Sequence, residues 1–244
     1  MTLQTMDTIT SEYRKIGTVQ FAELLRLASP SLPVGGFSYS QGLESAVELQ
    51  IITDENSACQ WISQTLQTVV AKCDAAIWML LYRAWRQLKR EMISEWNQWF
   101  YATRETAEAR QETSQMAFSL IQLTEALQWG TSDDRQFLKS LDPPCFPTAH
   151  AYAISARSLP QEPGLVSFLY AWIENQVLAA IKTIPLGQTA GQRMLSALIP
   201  QLEPAVATAT QAADSNPPSI LTLAPQYAIV AARHESQFSR LFRS

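Results

Sequence analysis

Three groups of residues have types and spacings that could do chemistry. Glu105, Glu108 and Glu112 follow one another at intervals of three and four. On a helix, that spacing puts three carboxylates on one face. Carboxylates so placed hold metal ions in helical bundles, normally with a Glu-x-x-His pair from a neighbouring helix. No Glu-x-x-His occurs in this chain. Arg104, four residues before Glu108, and nearby Arg110 make a charged face turned to water or to a partner the plainer reading. The second group is the two histidines, His150 and His234. They lie far apart, and Cys145 is the only thiol near either. A built-in tetrahedral metal site needs more ligands than that, so a loop histidine and a buried thiol are the simpler expectation.

The third group is the glycines. Ser29–Ser45 reads SPSLPVGGFSYSQGLES, and Ile184–Leu195 reads IPLGQTAGQRML. Five of the eight glycines (Gly35, Gly36, Gly42, Gly187 and Gly191) fall in these two stretches. Glycine is costly inside helices, so such clusters suggest tight turns or close backbone approach. The first stretch has glycines in a loop before a helix, as anion-binding loops do. It lacks the lysine of a phosphate loop, and neither GxxxxGK[ST] nor GxSxG occurs. Taken alone, the second stretch reads as a helix cap and a packing notch, with Gln188, Gln192 and Arg193 projecting beside it.

The elements that must position these residues are helices. Ile62, Leu66, Val69, Cys73, Ile77, Leu80, Ala84 and Leu88 recur at spacings of three and four. So do Ala102, Thr106, Ala109, Thr113, Met116, Leu120, Leu123 and Leu127, and then Val166, Tyr170, Ile173, Val177 and Ile181. These are apolar stripes facing a core. Thr53–Asp54 is a start signal; Gly130 and Pro143–Pro144 are stops. Ile220–Leu223 is the one short strand candidate. The expected fold is all-α: a single-domain bundle of about ten helices with short loops. Residues 1–17 are polar and expected to be flexible, 18–232 form the domain, and 233–244 form a tail after the Asp214–Pro218 linker.

Composition narrows the function. With 16% charged residues, a net charge of −4 and an apolar share of 47%, the chain lacks the basic face of a nucleic-acid binder. Its cysteines, Cys59, Cys73 and Cys145, are odd in number and form no CxxC pair, which suits reduced thiols in the cytoplasm. No signal peptide is evident, and no uncharged stretch reads as a membrane span.

LLRLASPSLPVGGFSYSQGLESAVE resembles the N-terminal signature of the urease accessory protein UreF family. RETAEARQE (Arg104–Glu112), NQVLAAIKTIPLGQTAGQRML (Asn175–Leu195) and RHESQFSRLFRS (Arg233–Ser244) agree with it in the expected order. Thr148–Ala153, TAHAYA, departs from the glycine-rich turn of the family pattern. The resemblance implies an all-α protein with no catalytic activity and no cofactor of its own. It implies a dimer that bridges the accessory protein UreD (or UreH) and the GTPase UreG while nickel is delivered to apo-urease, and that regulates the GTPase.

With that resemblance, the first stretch takes on a use. Pro30 and Pro33 fix its approach and Gly35–Gly36 turn it. Ser38 caps a helix beginning near Tyr39 by accepting from the Gln41 N–H. Gln41 and Glu44 then point outward, and the segment, with Phe37 and Gly42, builds or braces a partner surface. Pro185, Gly187 and Gly191 with their polar neighbours form a second surface. In the tail, Arg233, His234, Glu235, Arg240 and Arg243 alternate with Phe238, Leu241 and Phe242, as on a short amphipathic helix that orders against UreD. Two other readings are an all-α metal enzyme using Glu105, Glu108 and Glu112, and a nickel carrier using His150, Cys145 or His234.

Overall fold

The computed structural model describes residues 16–244. The segment expected to be flexible, 1–17, lies almost wholly outside them. Among the described residues there is no strand, and the α-helices number twelve. They are α1 (Thr18–Ala28), α2 (Leu43–Glu48), α3 (Glu55–Thr65), α4 (Ala76–Arg86), α5 (Arg90–Ala102) and α6 (Ala107–Ala126). Then follow α7 (Ser132–Ser140), α8 (Phe146–Ala156), α9 (Gln161–Thr183), α10 (Gln188–Leu198), α11 (Leu202–Asp214) and α12 (Pro225–His234). A wider π-type segment, Leu66–Ala75, joins α3 to α4, and a 3₁₀ turn, Ile199–Gln201, joins α10 to α11. Two pairs are thus continuous, leaving ten rods, as the periodicity leads one to expect.

The starts follow the chemistry of their first residues. Asp54 accepts from Ser57 N at 2.8 Å, and the Ser57 hydroxyl accepts in return from Asp54 N at 3.0 Å. Two free N–H groups of α3 are satisfied at once. Thr106 opens α6 by accepting from Ala109 N at 3.0 Å. The stripe from Ala102 to Leu127 therefore spans two helices, not one. Ala102 ends α5, and the chain turns through Thr103–Thr106 before α6 begins.

The 23-residue α9 is the central rod, packed on α1, α2, α3, α4, α8, α10 and α11. By length and apolarity alone it would serve to cross a membrane, and 56% of its most apolar window is buried inside this bundle. The sequence shows no uncharged span here because Glu174 interrupts it. Gly164, near the start of α9, lets two elements meet closely. A Cβ there would lie 2.6 Å from Ile154 Cγ2 on α8 and 3.1 Å from Trp78 Cη2 on α4.

His150, expected in a loop, stands in the middle of α8 with 1% of its surface exposed. The rings of Trp78, Phe146 and Phe168 surround it. Its Nδ1 accepts from Trp78 Nε1 at 3.0 Å, which assigns the remaining hydrogen to Nε2. Burial pushes its pKa down from 6.5 to about 3. Ile220–Leu223 forms no strand, although Leu221 N donates to the Lys72 carbonyl at 3.2 Å.

Candidate functional site

The first stretch, the start of α6 and the tail come together in one place. The loop runs through a left-handed Gly35 and a 3₁₀ turn, Gly36–Ser38; Tyr39 is then extended. The helix begins at Leu43, not near Tyr39. Ser38 is therefore no cap. Its neighbour Ser40 takes that role weakly, with Oγ accepting from Glu44 N at 3.3 Å. Gly42, at φ +81°, lies under α12, so a Cβ there would sit 3.2 Å from Ala231 Cα.

Gln41 and Glu44 do not point outward. Gln41 Nε2 donates to Glu112 Oε1 at 2.6 Å, and Gln41 Oε1 accepts from Trp172 Nε1. Glu44 is buried. Its Oε1 accepts from Leu241 N at 2.7 Å, and its Oε2 from Phe242 N at 3.0 Å. A buried carboxylate is tolerable only with such partners. Tyr39 is buried with its carbonyl accepting from Asn175 Nδ2 at 2.9 Å, while Phe37 and Pro33 face outward. The stretch therefore braces from behind at Tyr39 and is open at Phe37.

The three glutamates are not on one helix face. Glu105 precedes the Thr106 cap and lies on a turn; only Glu108 and Glu112 share α6. Nor is their face solvated. Glu112 is buried against Gln41 and accepts from Ser244 Oγ at 3.2 Å. Burial pushes its carboxyl up to about 7 against the pull of those hydrogen bonds. Glu108 Oε1 takes Arg240 Nη1 at 2.7 Å, and its Oε2 lies 2.7 Å from His234 Nδ1. Arg104 leaves the helix altogether. It pairs with Asp74 at 3.3 Å, and its guanidinium carbon lies 4.1 Å above the Phe100 ring.

The tail is not a helix. After His234 the chain turns, and its backbone is taken up by the first stretch. Arg243 N donates to the Ser38 carbonyl at 2.8 Å. A Ser244 main-chain oxygen accepts from Ser40 N at 2.6 Å, from Gln41 N at 3.2 Å and from Ser40 Oγ. Glu235 accepts from Ala107 N at 2.8 Å, adding a charge-matched cap to α6. Phe242 is buried with Lys182 over its ring, whereas Phe238 and Leu241 are exposed. Of the three apolar residues only Phe242 turns inward, because the segment bends at Phe238–Ser239 and again at Leu241–Phe242 and does not continue as a helix. Arg233 lies at the surface.

The second glycine stretch is apart from this clasp. Gly187 precedes α10, and a Cβ at Gly191 would lie 3.5 Å from Val177 Cγ1 on α9. Pro185, Gln188, Gln192 and Arg193 are exposed, with Arg193 Nε donating to Glu55 at 2.9 Å. Below the clasp is a crevice of about 200 Å³ between the first stretch, α6, α9 and α12. No three His, Cys, Asp or Glu side chains are grouped to hold a metal among the described residues. Cys73 and Cys145 are buried with thiols pushed up to about 12, mainly by burial, so neither is a ready thiolate ligand. The nickel-carrier reading loses its His150 and Cys145, and the enzyme reading loses its three-carboxylate face.

Spacing could not have found the clasp, because its partners lie far apart in sequence: Gln41 and Glu112 by 71 positions, Glu108 and His234 by 126. The one local signal was the concentration of Glu, Arg and His in two stretches, Arg104–Glu112 and Arg233–Ser244, that had no ligand of their own.

Comparison with known proteins gives the family. The UreF family model matches residues 52–199. A urease accessory protein UreF of Bordetella parapertussis is 52% identical over 90% of this chain and all of its own length. One from Cupriavidus metallidurans is 47% identical over 92% of this chain and 98% of its own. The bifunctional urease accessory protein UreEF of Bordetella bronchiseptica is 52% identical over 92% of this chain, which spans 52% of that longer protein. The chain therefore belongs to the UreF family of urease accessory proteins, a non-enzymatic chaperone family.

Proposed function

We propose that this chain is a scaffold for nickel insertion into apo-urease. It bridges a UreD- or UreH-type protein and a UreG-type GTPase, and it regulates GTP hydrolysis by the latter. It acts in the cytoplasm as a homodimer, with nickel and nucleotide held by its partners. One observation carries the reading. Of seventeen exposed large apolar residues among those described, five lie in the last 24 positions: Leu221, Leu223, Ile229, Phe238 and Leu241. Monomeric soluble proteins seldom concentrate such surface without a use for it. The tail face, with Phe37 of the first stretch, is the surface we assign to UreD. Pro185, Gln188, Gln192 and Arg193 form a second, polar surface. The name of the Bordetella bronchiseptica relative, a bifunctional accessory protein, fits work carried out inside an assembly.

The test is co-expression with the UreD-like and UreG-like proteins of one genome, with the complex sized by light scattering. Full chain, a Phe238→Ser/Leu241→Ser variant and a chain ending before Arg233 are compared. The expected result is a stable complex with the full chain that both changes abolish. A full chain that stays alone at every concentration beside folded partners overturns the reading.

A further inference from the structure

His234 is fully enclosed, with 0% of its surface exposed. Both ring nitrogens face carboxylates. Nδ1 lies 2.7 Å from Glu108 Oε2 on α6, and Nε2 lies 3.1 Å from Glu44 Oε2 on α2. A neutral imidazole has one donor and one acceptor; only the doubly protonated ring has two donors. With one hydrogen missing, a ring lone pair would face a carboxylate lone pair in a buried site, where an unmatched acceptor is costly.

Charge counting agrees. Glu44, Glu108, Arg240 and a protonated His234 form a cluster with no net charge. Without the ring proton, the cluster holds one uncompensated negative charge. The other charged groups nearby are occupied elsewhere. Glu112, on the next turn of α6, is bound to Gln41 and Ser244. Glu235 holds Ala107 N, Arg243 lies beside Tyr39, and Lys182 of α9 stands over Phe242. Arg233 and Glu48 are at the surface. The same Glu44 oxygen that meets His234 also accepts from Phe242 N, and the same Glu108 holds Arg240. The ring and the tail are thus bound to the same two carboxylates.

We infer that His234 is a protonation-dependent pin: doubly protonated, it locks residues 235–244 onto α2 and α6, and on losing a proton it releases them. The release runs in the alkaline direction. It uncovers Glu44, Ser40 and the Gln41 N–H, and it lets the segment that carries the already exposed Phe238 and Leu241 move.

The full chain is followed by NMR between about pH 5 and pH 9. Its two histidines give separate ring signals, and His150 is recognised by its bond to Trp78. Amide exchange, normalised to the intrinsic rate at each pH, reports the tail. Both His234 nitrogens are expected to carry hydrogen at the acid end. As the ring loses its proton, protection of the Leu241 and Phe242 amides should fall about tenfold or more, while Val177 on α9 keeps its protection. Glu108→Gln supplies an amide that suits a neutral ring, so tail protection should lose its pH dependence. His234→Gln, whose amide donates from one end and accepts at the other, should show low tail protection at every pH. Tail protection that is unchanged through the His234 titration overturns the inference. So does a ring with a single hydrogen over the whole range in which the chain stays folded. Either result is read on the unsubstituted chain, whether or not the variants fold.

Discussion

Replacing Glu112 by glutamine should change how stability depends on pH, and the size of the change follows from its surroundings. Burial raises this carboxyl from 4.5 to about 7 in the folded chain. Between those values the folded state binds a proton that the unfolded state has lost. Stability is therefore full below about pH 4.5, falls as pH rises through about 7 and is flat above it. At roughly 1.4 kcal/mol for each tenfold change in proton affinity, the rise from 4.5 to about 7 corresponds to about 3 kcal/mol. Some 2–3 kcal/mol of this should fall between about pH 5 and pH 8, where the fold can be studied. The amide introduced by Glu112→Gln keeps an acceptor for Gln41 Nε2 and a polar partner for the Ser244 hydroxyl but never ionises. Urea unfolding of both proteins at a series of pH values is the assay. Glu174, also raised by burial, is common to the two proteins and cancels in the difference. The variant should gain on the parent by that 2–3 kcal/mol from acid to alkaline pH. Two curves that stay parallel to within about 0.5 kcal/mol would show that Glu112 is not held neutral by burial.

Further outcomes can be checked on the isolated chain. His150 should remain neutral down to about pH 3 because it is desolvated. Its folded value is depressed, so its contribution to stability is full above about pH 6.5 and is lost as pH falls; a ring signal that moves near pH 6 contradicts this. Gly164→Ala should cost about 1–3 kcal/mol through overpacking against Ile154 and Trp78, read as a lower urea midpoint. Asp54→Ala should cost about 1 kcal/mol by removing the α3 cap, and a change at Ser57 should add little to it. A thiol reagent should label Cys59 in the native chain well before Cys73 and Cys145, whose thiols are buried; three equal rates would contradict that order.

The helices were legible because a 3.6-residue period survives any loop length, and Asp54 shows that a local cap can be read locally. The break at Thr103–Thr106 was not legible. Two consecutive helices happened to keep one apolar spacing across the turn, and only Thr106, as a cap, marks the boundary. His150 was misplaced although Pro147 stands at the start of its helix, a position where proline begins helices; the absence of a glycine turn was itself the clue. The inward turn of Gln41 and Glu44 had no local signature. A buried carboxylate depends on who meets it, and Leu241 N, Phe242 N and His234 lie some 190 positions away. The same distance hid the true conformation of the tail. Its Phe238, Leu241 and Phe242 fit a helical spacing, but the backbone hydrogen bonds offered by the first stretch hold it in a bent, irregular path instead.

The Ser40–Ser244 bond spans 204 positions, and this sets an order in time. At about 5–20 residues per second of synthesis, the first stretch leaves the ribosome some 10–40 s before the segment that completes it. During that interval the helices around α9 can pack through contacts closer in sequence, while Glu44 and Ser40 wait in water. The clasp then closes only after the residues between its two halves have been made, and a chain interrupted before Arg233 presents the first stretch bare.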